Sequence, residues 1–315
     1  MTTDWDAVVI GAGSAGLAAA LTLTRARRRT LVLDTGEQRN RFAAHSHGVL
    51  GSDGEDPAAL VTNGRAEVIR YGAVLLDGRA TGAHQDGDRF TVTTSAGQDH
   101  TARCLVVATG VRDELPEVPG LAPQWGTGVV VCPYCDGWES RDQRIGVLGT
   151  GPRSVAQAQL VRQWSADIVL LTNTTTPLSE DDRAALSARG IAIRDGTVDE
   201  ICASGGTLTG VRVDGEHLPL DRVFTTPRPV PHDEVLRQLG ARTAARPHGD
   251  LVVTTGRGAT SVTGVWAAGN VVDPSLKVPT AAGDGMAAGA EANEFLVRAD
   301  ITAALNQTRP ATAQR

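Results

Sequence analysis

Two glycine-rich turns constrain the fold of this chain more than any other feature of its sequence. Residues 11–16 read GAGSAG, and residues 149–154 read GTGPRS. Each turn follows a short run of aliphatic residues and precedes a run with helical spacing. This is the strand, glycine turn, helix order of a dinucleotide-binding fold. The sequence therefore predicts an α/β protein with two Rossmann-like domains.

The first turn has the complete context that such a fold requires. Residues 6–10 and 30–34 have the composition of buried parallel strands, and a helix is predicted from Ser14 to about Arg28. The second strand ends on Asp34, which follows Gly16 by 34 − 16 = 18 residues. In this fold the helix N-terminus binds the pyrophosphate, and the acid binds the ribose hydroxyls. We therefore expect an adenine dinucleotide at this turn.

Further elements are predicted from hydrophobic periodicity and turn signals. A helix is expected over 57–70 and a β-meander over 73–109, followed by a stiff proline-rich crossing at 116–123. The second turn lies between predicted strands at 144–148 and 168–172, with a helix to about 164. Near the end, residues 264–270 predict a buried strand and residues 280–297 a small-residue helix.

Between the two glycine turns lies the sequence Cys132-Pro133-Tyr134-Cys135-Asp136. Two cysteines separated by two residues can close a small disulfide, and an adjacent acid can transfer protons during sulfur chemistry. We interpret this pair as a redox centre. Cys104 and Cys202 lie in predicted strands and are interpreted as core residues.

Composition excludes several classes of function. The 315-residue chain has a formal charge of −6 and no block of basic residues interleaved with aromatics, which argues against nucleic-acid binding. Acids at positions 4 and 6 precede the apolar run at 8–23, so this run is not a signal peptide, and no other run approaches a membrane span. Four cysteines in a long chain form no disulfide framework. We expect a cytoplasmic protein.

His45 and His47 lie in a predicted loop at residues 44–51. Two histidines two residues apart, with no further Cys/His pair at ligand spacing, make a poor metal site, so no metal is expected. Polar contacts to cofactor or substrate and a solvated loop remain alternative interpretations.

Taken together, these motifs resemble the thioredoxin-reductase family of FAD enzymes over almost the whole chain. The matching motifs are GAGSAG, the turn at residues 108–110, CxxC followed by Asp-Gly, the second glycine turn, and residues 267–270 with 281–285. The resemblance implies that the FAD domain is split by an inserted NAD(P)-type domain, and that each domain has a parallel sheet and a small β-meander. The implied boundaries are 1–115 and 246–315 for FAD and 116–245 for the insertion.

The resemblance also implies residue roles. Cys135 is the thiol next to the flavin, Cys132 exchanges with substrate, and Asp136 gives and takes the thiol proton, with His45 or His47 as an assisting base. The resemblance implies that FAD binds to the first glycine turn, to loops that follow predicted strands, and to the segment at the start of the last helix. These residues are Gly11, Gly13, Ser14, Ala15, Gly16, Asp34, Thr35, Arg41, Ala108, Thr109, Gly110, Gly269, Asn270, Val278 and Thr280.

Three departures distinguish the chain from an ordinary thioredoxin reductase. The family's His-Arg-Arg cluster after strand two of the nucleotide domain is Thr172-Asn173-Thr174 here, its Gly-Asp is Gly269-Asn270, and its Arg-Gln before the last helix is Lys277-Val278-Pro279. Binding of NAD(P)H is therefore doubtful. Three features look more like the dithiol oxidases of holomycin and gliotoxin type, which close disulfides in natural products. They are the Pro-Tyr pair between the thiols, the following Gly137-Trp138-Glu139, and the loop at 41–48.

This closer resemblance predicts an FAD-dependent oxidase of a small-molecule dithiol, with O2 as electron acceptor and H2O2 as product. The main alternative is an NAD(P)H-dependent disulfide reductase acting on a thioredoxin-like protein, and a second is a flavin-binding redox sensor. A homodimer is implied by the family resemblance.

Overall fold

The computed structural model describes residues 4–175, 177–246 and 249–308. Its strands, in chain order, are β1 (Asp4–Ile10), β2 (Thr30–Asp34), β3 (Val74–Asp77), β4 (Ala80–Asp86), β5 (Arg89–Thr94), β6 (Asp99–Val107), β7 (Val111–Glu114), β8 (Val129–Val130), β9 (Ile145–Leu148), β10 (Ile168–Leu171), β11 (Ala192–Arg194), β12 (Val198–Ser204), β13 (Thr207–Val213), β14 (Glu216–Pro219), β15 (Arg222–Thr225), β16 (Arg228–Pro231), β17 (Thr243–Ala244), β18 (Leu251–Val252) and β19 (Val265–Ala267). The α-helices are α1 (Ser14–Arg25), α2 (Pro57–Arg70), α3 (Pro133–Asp136), α4 (Arg153–Val161), α5 (Glu180–Ala188), α6 (Glu234–Gln238) and α7 (Val278–Thr308).

The chain divides into two compact units. The first contains residues 1–39, 58–112 and 229–315, and the second contains residues 40–57 and 113–228. The division therefore falls at 112–113 and 228–229, whereas the sequence predicted 115–116 and 245–246. Residues 229–245 join the first unit because Val235 and Leu236 of α6 pack among its apolar side chains.

The first unit is built on a seven-stranded sheet with the order β3-β2-β1-β6-β5-β4, to which β19 adds by pairing with β6. Strands β1, β2, β3, β6 and β19 are parallel, and β4, β5 and β6 form an antiparallel meander. Alternate residues of the central strands face opposite sides. Val9, Val32 and Val106 pack with α1 and α7, whereas Val8, Leu31 and Leu105 pack with the meander and α6.

The second unit has a five-stranded parallel sheet with the order β11-β10-β9-β15-β8 and a separate antiparallel sheet of β12, β13 and β14. One face of the parallel sheet packs with the antiparallel sheet, and the other packs with α4 and α5. Both faces are therefore buried, as expected for a parallel sheet. The α/β class with two Rossmann-like domains, each with a parallel sheet and a small meander, is confirmed.

No helix in the described ranges is long and apolar enough to cross a membrane.

Candidate active site

The cysteine pair of the second unit begins a short helix. Cys132 and Cys135 form a disulfide with their Cα atoms 5.2 Å apart. Cys132 immediately precedes α3, and the N–H groups of Cys135 and Asp136 both donate to the carbonyl oxygen of Cys132 at 3.0 Å. Pro133 suits the first helical position, where a backbone N–H has no intrahelical partner. The fold thus brings the two sulfurs within bonding distance.

The two sulfurs differ in exposure. Cys132 is only 5% exposed, whereas Cys135 is half-buried. Thiol–disulfide exchange requires access to the attacked sulfur. Attack at Cys132, as the sequence predicts, therefore requires this residue to be uncovered first. The roles assigned to the two cysteines and to the half-buried Asp136 stay predictions.

Two exposed aromatic side chains flank the disulfide. Tyr134, within α3, is 71% exposed, and Trp138, in the turn that follows α3, is 65% exposed. The rings of Tyr134 and Trp164 form a T-shaped pair with centroids 5.9 Å apart, and the Arg141 guanidinium covers the Trp138 ring at 4.4 Å. Exposed rings held in this way offer flat apolar contact area beside the redox pair.

His47 connects the loop at 40–57 with the segment after the disulfide. Its Nδ1 is 3.6 Å from Asp53 Oδ2, and its Nε2 is 3.6 Å from Glu139 Oε1. The N–H of Gly48 donates to Asp53 at 2.7 Å, and this bond, assisted by His47, lowers the pKa of Asp53. The ring of His45 lies 6.2 Å from that of His47. Both histidines thus lie in the unit that carries the disulfide, and their role as bases stays a prediction.

The described part of the chain contains no group of three or more His, Cys, Asp or Glu side chains placed to hold a metal ion.

The other two cysteines are not disulfide-bonded. Cys104 is fully buried in β6, and burial raises the pKa of its thiol to about 12. Cys202 lies half-buried in β12, and burial also raises its thiol pKa. Cys104 is the core residue that the sequence predicted, while Cys202 is only partly covered. Neither thiol forms the reactive thiolate readily near neutral pH.

In the first unit, the glycine turn between β1 and α1 has the geometry of an anion site. Gly11 has a φ of +102°, and a Cβ there would collide with the carbonyl of Ala108. A Cβ at Gly16 would likewise collide with the Gly11 carbonyl. Gly13 precedes α1 with no side-chain cap and faces open space. The N–H groups of residues 14–16 lack intrahelical partners, as a pyrophosphate site requires.

Asp34 lies beside this turn. Its Oδ1 accepts a hydrogen bond from the N–H of Ala12 at 3.0 Å, and its Oδ2 accepts one from Arg65 at the same distance. Thr35 follows it and is exposed. The end of β2 therefore places a carboxylate next to the turn, where an adenosine ribose would lie in this fold.

The turn after β6 closes the same edge of the sheet. The N–H of Ala108 donates to the carbonyl of Ile10 at 2.8 Å. Thr109 Oγ1 donates to the carbonyl of His232 at 2.5 Å, and the His232 N–H donates to the carbonyl of Gly110 at 3.0 Å. Burial lowers the pKa of the His232 side chain. Residues 108–110 are thus held in place beside the glycine turn.

Near the C-terminus, Gly269 N–H donates to Asp284 Oδ2 at 2.7 Å. Asn270 Nδ2 donates to two carbonyl oxygens of the following loop, each at 3.0 Å. Val278 is the first residue of α7, and the hydroxyl of Thr280 accepts from the N–H three residues earlier at 2.8 Å. These four predicted FAD residues lie in the same unit as the glycine turn. Their contacts with FAD stay predictions.

Arg41 is the exception among the predicted FAD residues, because it belongs to the second unit. Its guanidinium lies 4.3 Å from the centre of the Phe42 ring. A contact between Arg41 and FAD stays a prediction.

The residues of the first unit fit FAD. The uncapped N-terminus of α1 suits a pyrophosphate, and the Asp34 carboxylate beside it suits ribose hydroxyls. The open space at Gly13 leaves room for the ligand to approach the backbone closely.

The second glycine turn, between β9 and α4, forms hydrogen bonds with the protein's own side chains, while Gly151, like Gly13 of the first turn, faces open space. The N–H of Thr150 donates to Ser154 Oγ at 3.0 Å. The corresponding N–H of the first turn, at Ala12, binds Asp34 instead. The Asn173 side chain donates to the carbonyl of Gly149 at 3.3 Å and also accepts a backbone N–H at 3.0 Å. Both polar atoms of this amide therefore bind the protein.

The methyl group of Thr175 covers the same turn, because a Cβ at Gly149 would lie 2.6 Å from it. Residues 172–175 supply neither an acid for an NAD ribose nor a cation for an NADP phosphate. The doubt about NAD(P)H binding stays a prediction.

Sequence reasoning missed three residues that shape these sites. Arg65 binds Asp34, Asp284 binds Gly269, and Ser154 accepts a hydrogen bond from Thr150 in the second turn. Ser154 could have been found from its place as the sixth residue of the turn. The contacts of Arg65 and Asp284 depend on how helices α2 and α7 pack against segments that are distant in the sequence. Local sequence patterns carry no information about such packing.

Comparison with known proteins agrees with this geometry. The family model for pyridine nucleotide-disulphide oxidoreductases matches residues 5–289. Thioredoxin reductase tcpT of Claviceps purpurea (strain 20.1) is 32% identical, covering 93% of this chain and 94% of that protein. Thioredoxin reductase sirT of Leptosphaeria maculans is 30% identical, covering 95% and 96%.

Solved structures show the same likeness. The crystal structure of HlmI has 44% sequence identity, a TM-score of 0.93 and coverage of 98% of both chains. An oxidoreductase from Agrobacterium tumefaciens has 36% identity and a TM-score of 0.88, covering 94% of this chain and 99% of that one. With a cysteine pair, an FAD-type glycine turn and a family match over most of its length, the chain belongs to the pyridine nucleotide-disulphide oxidoreductases as a thioredoxin-reductase-like FAD enzyme.

Proposed function

We propose that this enzyme is a dithiol oxidase that closes a disulfide in a small natural-product dithiol and passes the electrons to O2. The observation that carries the proposal is the segment after β10, residues 172–175, which supplies neither an acid for an NAD ribose nor a cation for an NADP phosphate. A reductase of this family takes its electrons from a nicotinamide nucleotide. An enzyme that lacks these nucleotide contacts needs another electron source, and the substrate dithiol is one.

The chemistry begins with thiol–disulfide exchange. One substrate thiolate attacks a sulfur of the Cys132–Cys135 disulfide, forming a mixed disulfide and releasing the other cysteine as a thiolate. The second substrate thiolate then attacks the mixed disulfide. The substrate leaves as a disulfide, and the enzyme retains two electrons and both cysteines in reduced form.

FAD, when bound, supplies the two-electron step that returns the cysteines to the disulfide and transfers the electron pair, with two protons, to O2 as H2O2. The protein's own contribution is position and proton transfer. Asp136, next to Cys135, is proposed to hold the proton of the departing thiol, and His47, or His45 beside it, to remove the proton of the substrate thiol.

The exposed aromatic pair supports a small ring-bearing substrate. Tyr134 lies between the two cysteines in the sequence and Trp138 lies three residues after Cys135, and both side chains are exposed to solvent. Aromatic contacts of this kind hold a flat or apolar ligand at low entropic cost, because each ring has only two side-chain torsions. A thioredoxin-like protein is the alternative partner.

The direction of electron flow can be measured under anaerobic conditions. We expect excess dithiothreitol to bleach the flavin absorbance within the dead time of manual mixing, and admission of air to restore the absorbance with formation of H2O2. We expect NADPH and NADH to leave the absorbance unchanged over the same period. The control is heat-denatured enzyme, which separates catalysis from reaction of free FAD.

Fast bleaching by either nicotinamide would show a reductase with an altered nucleotide site. Bleaching by the dithiol without steady-state turnover in air would point to a redox sensor. Each result excludes the oxidase.

A homodimer is the proposed assembly. Val297, Ile301 and Leu305 follow one another at intervals of four residues on α7 and are 42%, 54% and 60% exposed. Such a stripe is typical of a helix face that packs against a partner.

Light scattering should give twice the chain mass for wild type and one chain mass for Ile301→Asp. Ala303→Asp, on the opposite side of the helix, should remain dimeric; a monomeric wild type would exclude this assembly.

A further inference from the structure

A three-residue charge cluster lies at the adenosine end of the FAD-type site and is not used by the thiol chemistry. Arg65, in α2, donates from Nη1 to Asp34 Oδ2 at 3.0 Å and from Nη2 to Asp77 Oδ1 at 2.7 Å. Asp34 and Asp77 end the neighbouring strands β2 and β3 and are direct cross-strand partners. Like charges in that position repel each other. A single guanidinium therefore bridges two carboxylates that would otherwise oppose each other.

The Asp34 carboxylate is held from two sides. The Asp34 side chain is only 12% exposed, and the Arg65 side chain is 28% exposed, whereas Asp77 is 83% exposed. The second Asp34 oxygen binds the N–H of Ala12 within the glycine turn. An ionised carboxylate has about four acceptor sites, so two hydrogen bonds leave acceptor capacity for two ribose hydroxyls. Arg65 and the N–H of Ala12 together determine which lone pairs of the Asp34 carboxylate remain available to the ribose hydroxyls.

The position of Asp34 also creates an electrostatic problem. Its carboxylate is bonded directly to the turn at the N-terminus of α1, where the family's cofactor brings a pyrophosphate with two negative charges. A mostly buried negative charge at this place opposes binding of another anion, since screening by solvent is weak there. Arg65 is the cation bonded to that carboxylate.

We propose that Arg65 is a positioning residue for FAD. It orients the Asp34 carboxylate toward the adenosine ribose and offsets its charge against the pyrophosphate. The proposal concerns cofactor affinity alone, so it holds whether the enzyme works as an oxidase or as a reductase.

The test compares FAD affinity of flavin-free full-length protein by quenching of flavin fluorescence. Arg65→Ala should raise the Kd for FAD about tenfold or more, the loss expected for a charge-assisted hydrogen bond. Arg65→Lys, which keeps the charge but not the two-pronged geometry, should give an intermediate Kd. Asp77→Asn removes only the exposed partner and should leave the Kd unchanged within about twofold. FMN, which keeps one phosphate but lacks the adenosine ribose, should show a smaller rise in Kd on Arg65→Ala than FAD does.

A double-mutant cycle separates positioning from a structural role. In an Asp34→Asn background, Arg65→Ala should have little further effect on the Kd for FAD, because the charge that Arg65 offsets is gone. The proposal is overturned if Arg65→Ala and Arg65→Lys both leave the Kd unchanged while lowering Tm. It is also overturned if Asp77→Asn raises the Kd as much as Arg65→Ala does, or if the two substitutions at 34 and 65 are additive.

Discussion

Replacing Cys135 with serine is expected to lower kcat/KM for dithiol oxidation about a thousandfold or more, the scale seen when a residue that forms the covalent intermediate is removed. A serine hydroxyl cannot form a disulfide, so neither the mixed disulfide nor its resolution can occur. Cys132→Ser should show the same loss. The measurement is the initial rate of O2 uptake with dithiothreitol, at equal flavin content for each variant.

Cys202→Ser is the matched control for this loss. Cys202 is a half-buried thiol in β12 of the same unit, and its removal should leave the rate within about twofold of wild type, as for most substitutions outside a site. Retained turnover in Cys135→Ser would mean that the substrate thiols are oxidised without the cysteine pair. That outcome would contradict the exchange mechanism even if the protein proved to be an oxidase.

Local sequence patterns predicted the elements around the FAD-type turn closely. Strand β2 at 30–34 and helix α2 at 57–70 have the predicted bounds. Helix α1 ends at Arg25 rather than near Arg28, because Arg27 adopts a φ of +62° and the Arg28 N–H turns back to the carbonyl of Leu23. A left-handed residue at a helix end is usually glycine. Because residue 27 is an arginine and not a glycine, the sequence did not predict that α1 ends before it.

The last helix is longer than predicted, whereas α1 is shorter. Helix α7 ends at Thr308, which is 308 − 297 = 11 residues beyond the predicted end. Residues 298–308 contain neither glycine nor proline and are mostly compatible with a helix, so no residue type marks an end near Val297.

The placement of the histidine loop could not be predicted from any local pattern. Residues 40–57 leave the first unit after β2, yet they belong to the second. Two contacts show why. A Cβ at Gly126 would lie 2.5 Å from the carbonyl of Phe42, and His47 lies 3.6 Å from Glu139. Both contacts join segments more than eighty residues apart in the chain, where the spacing of residue types carries no information.

Replacing Gly285 with alanine is expected to destabilise the protein strongly, because this glycine lets α7 and α1 touch backbone to backbone. A Cβ at Gly285 would collide with the carbonyl of Ala15, and a Cβ at Gly289 would lie 2.7 Å from the carbonyl of Ala19. Backbone atoms cannot rotate away as a side chain can, so the helices must separate. Overpacking of this kind costs about 1–3 kcal/mol or more, against a gain of about 1 kcal/mol in helix propensity.

The net loss should be about 1–2 kcal/mol, which corresponds to a fall in Tm of about 2–8 °C for a domain of this size. Because Ala15 lies in the first turn of α1, directly after the glycine turn, we also expect weaker retention of FAD. Gly283→Ala is the matched control, since a Cβ at that position of α7 meets nothing within 4 Å. It should gain stability in the flavin-free protein through helix propensity alone. If Gly285→Ala had a Tm equal to that of Gly283→Ala, α1 and α7 could separate without cost, and their close approach would not be what holds the glycine turn in place.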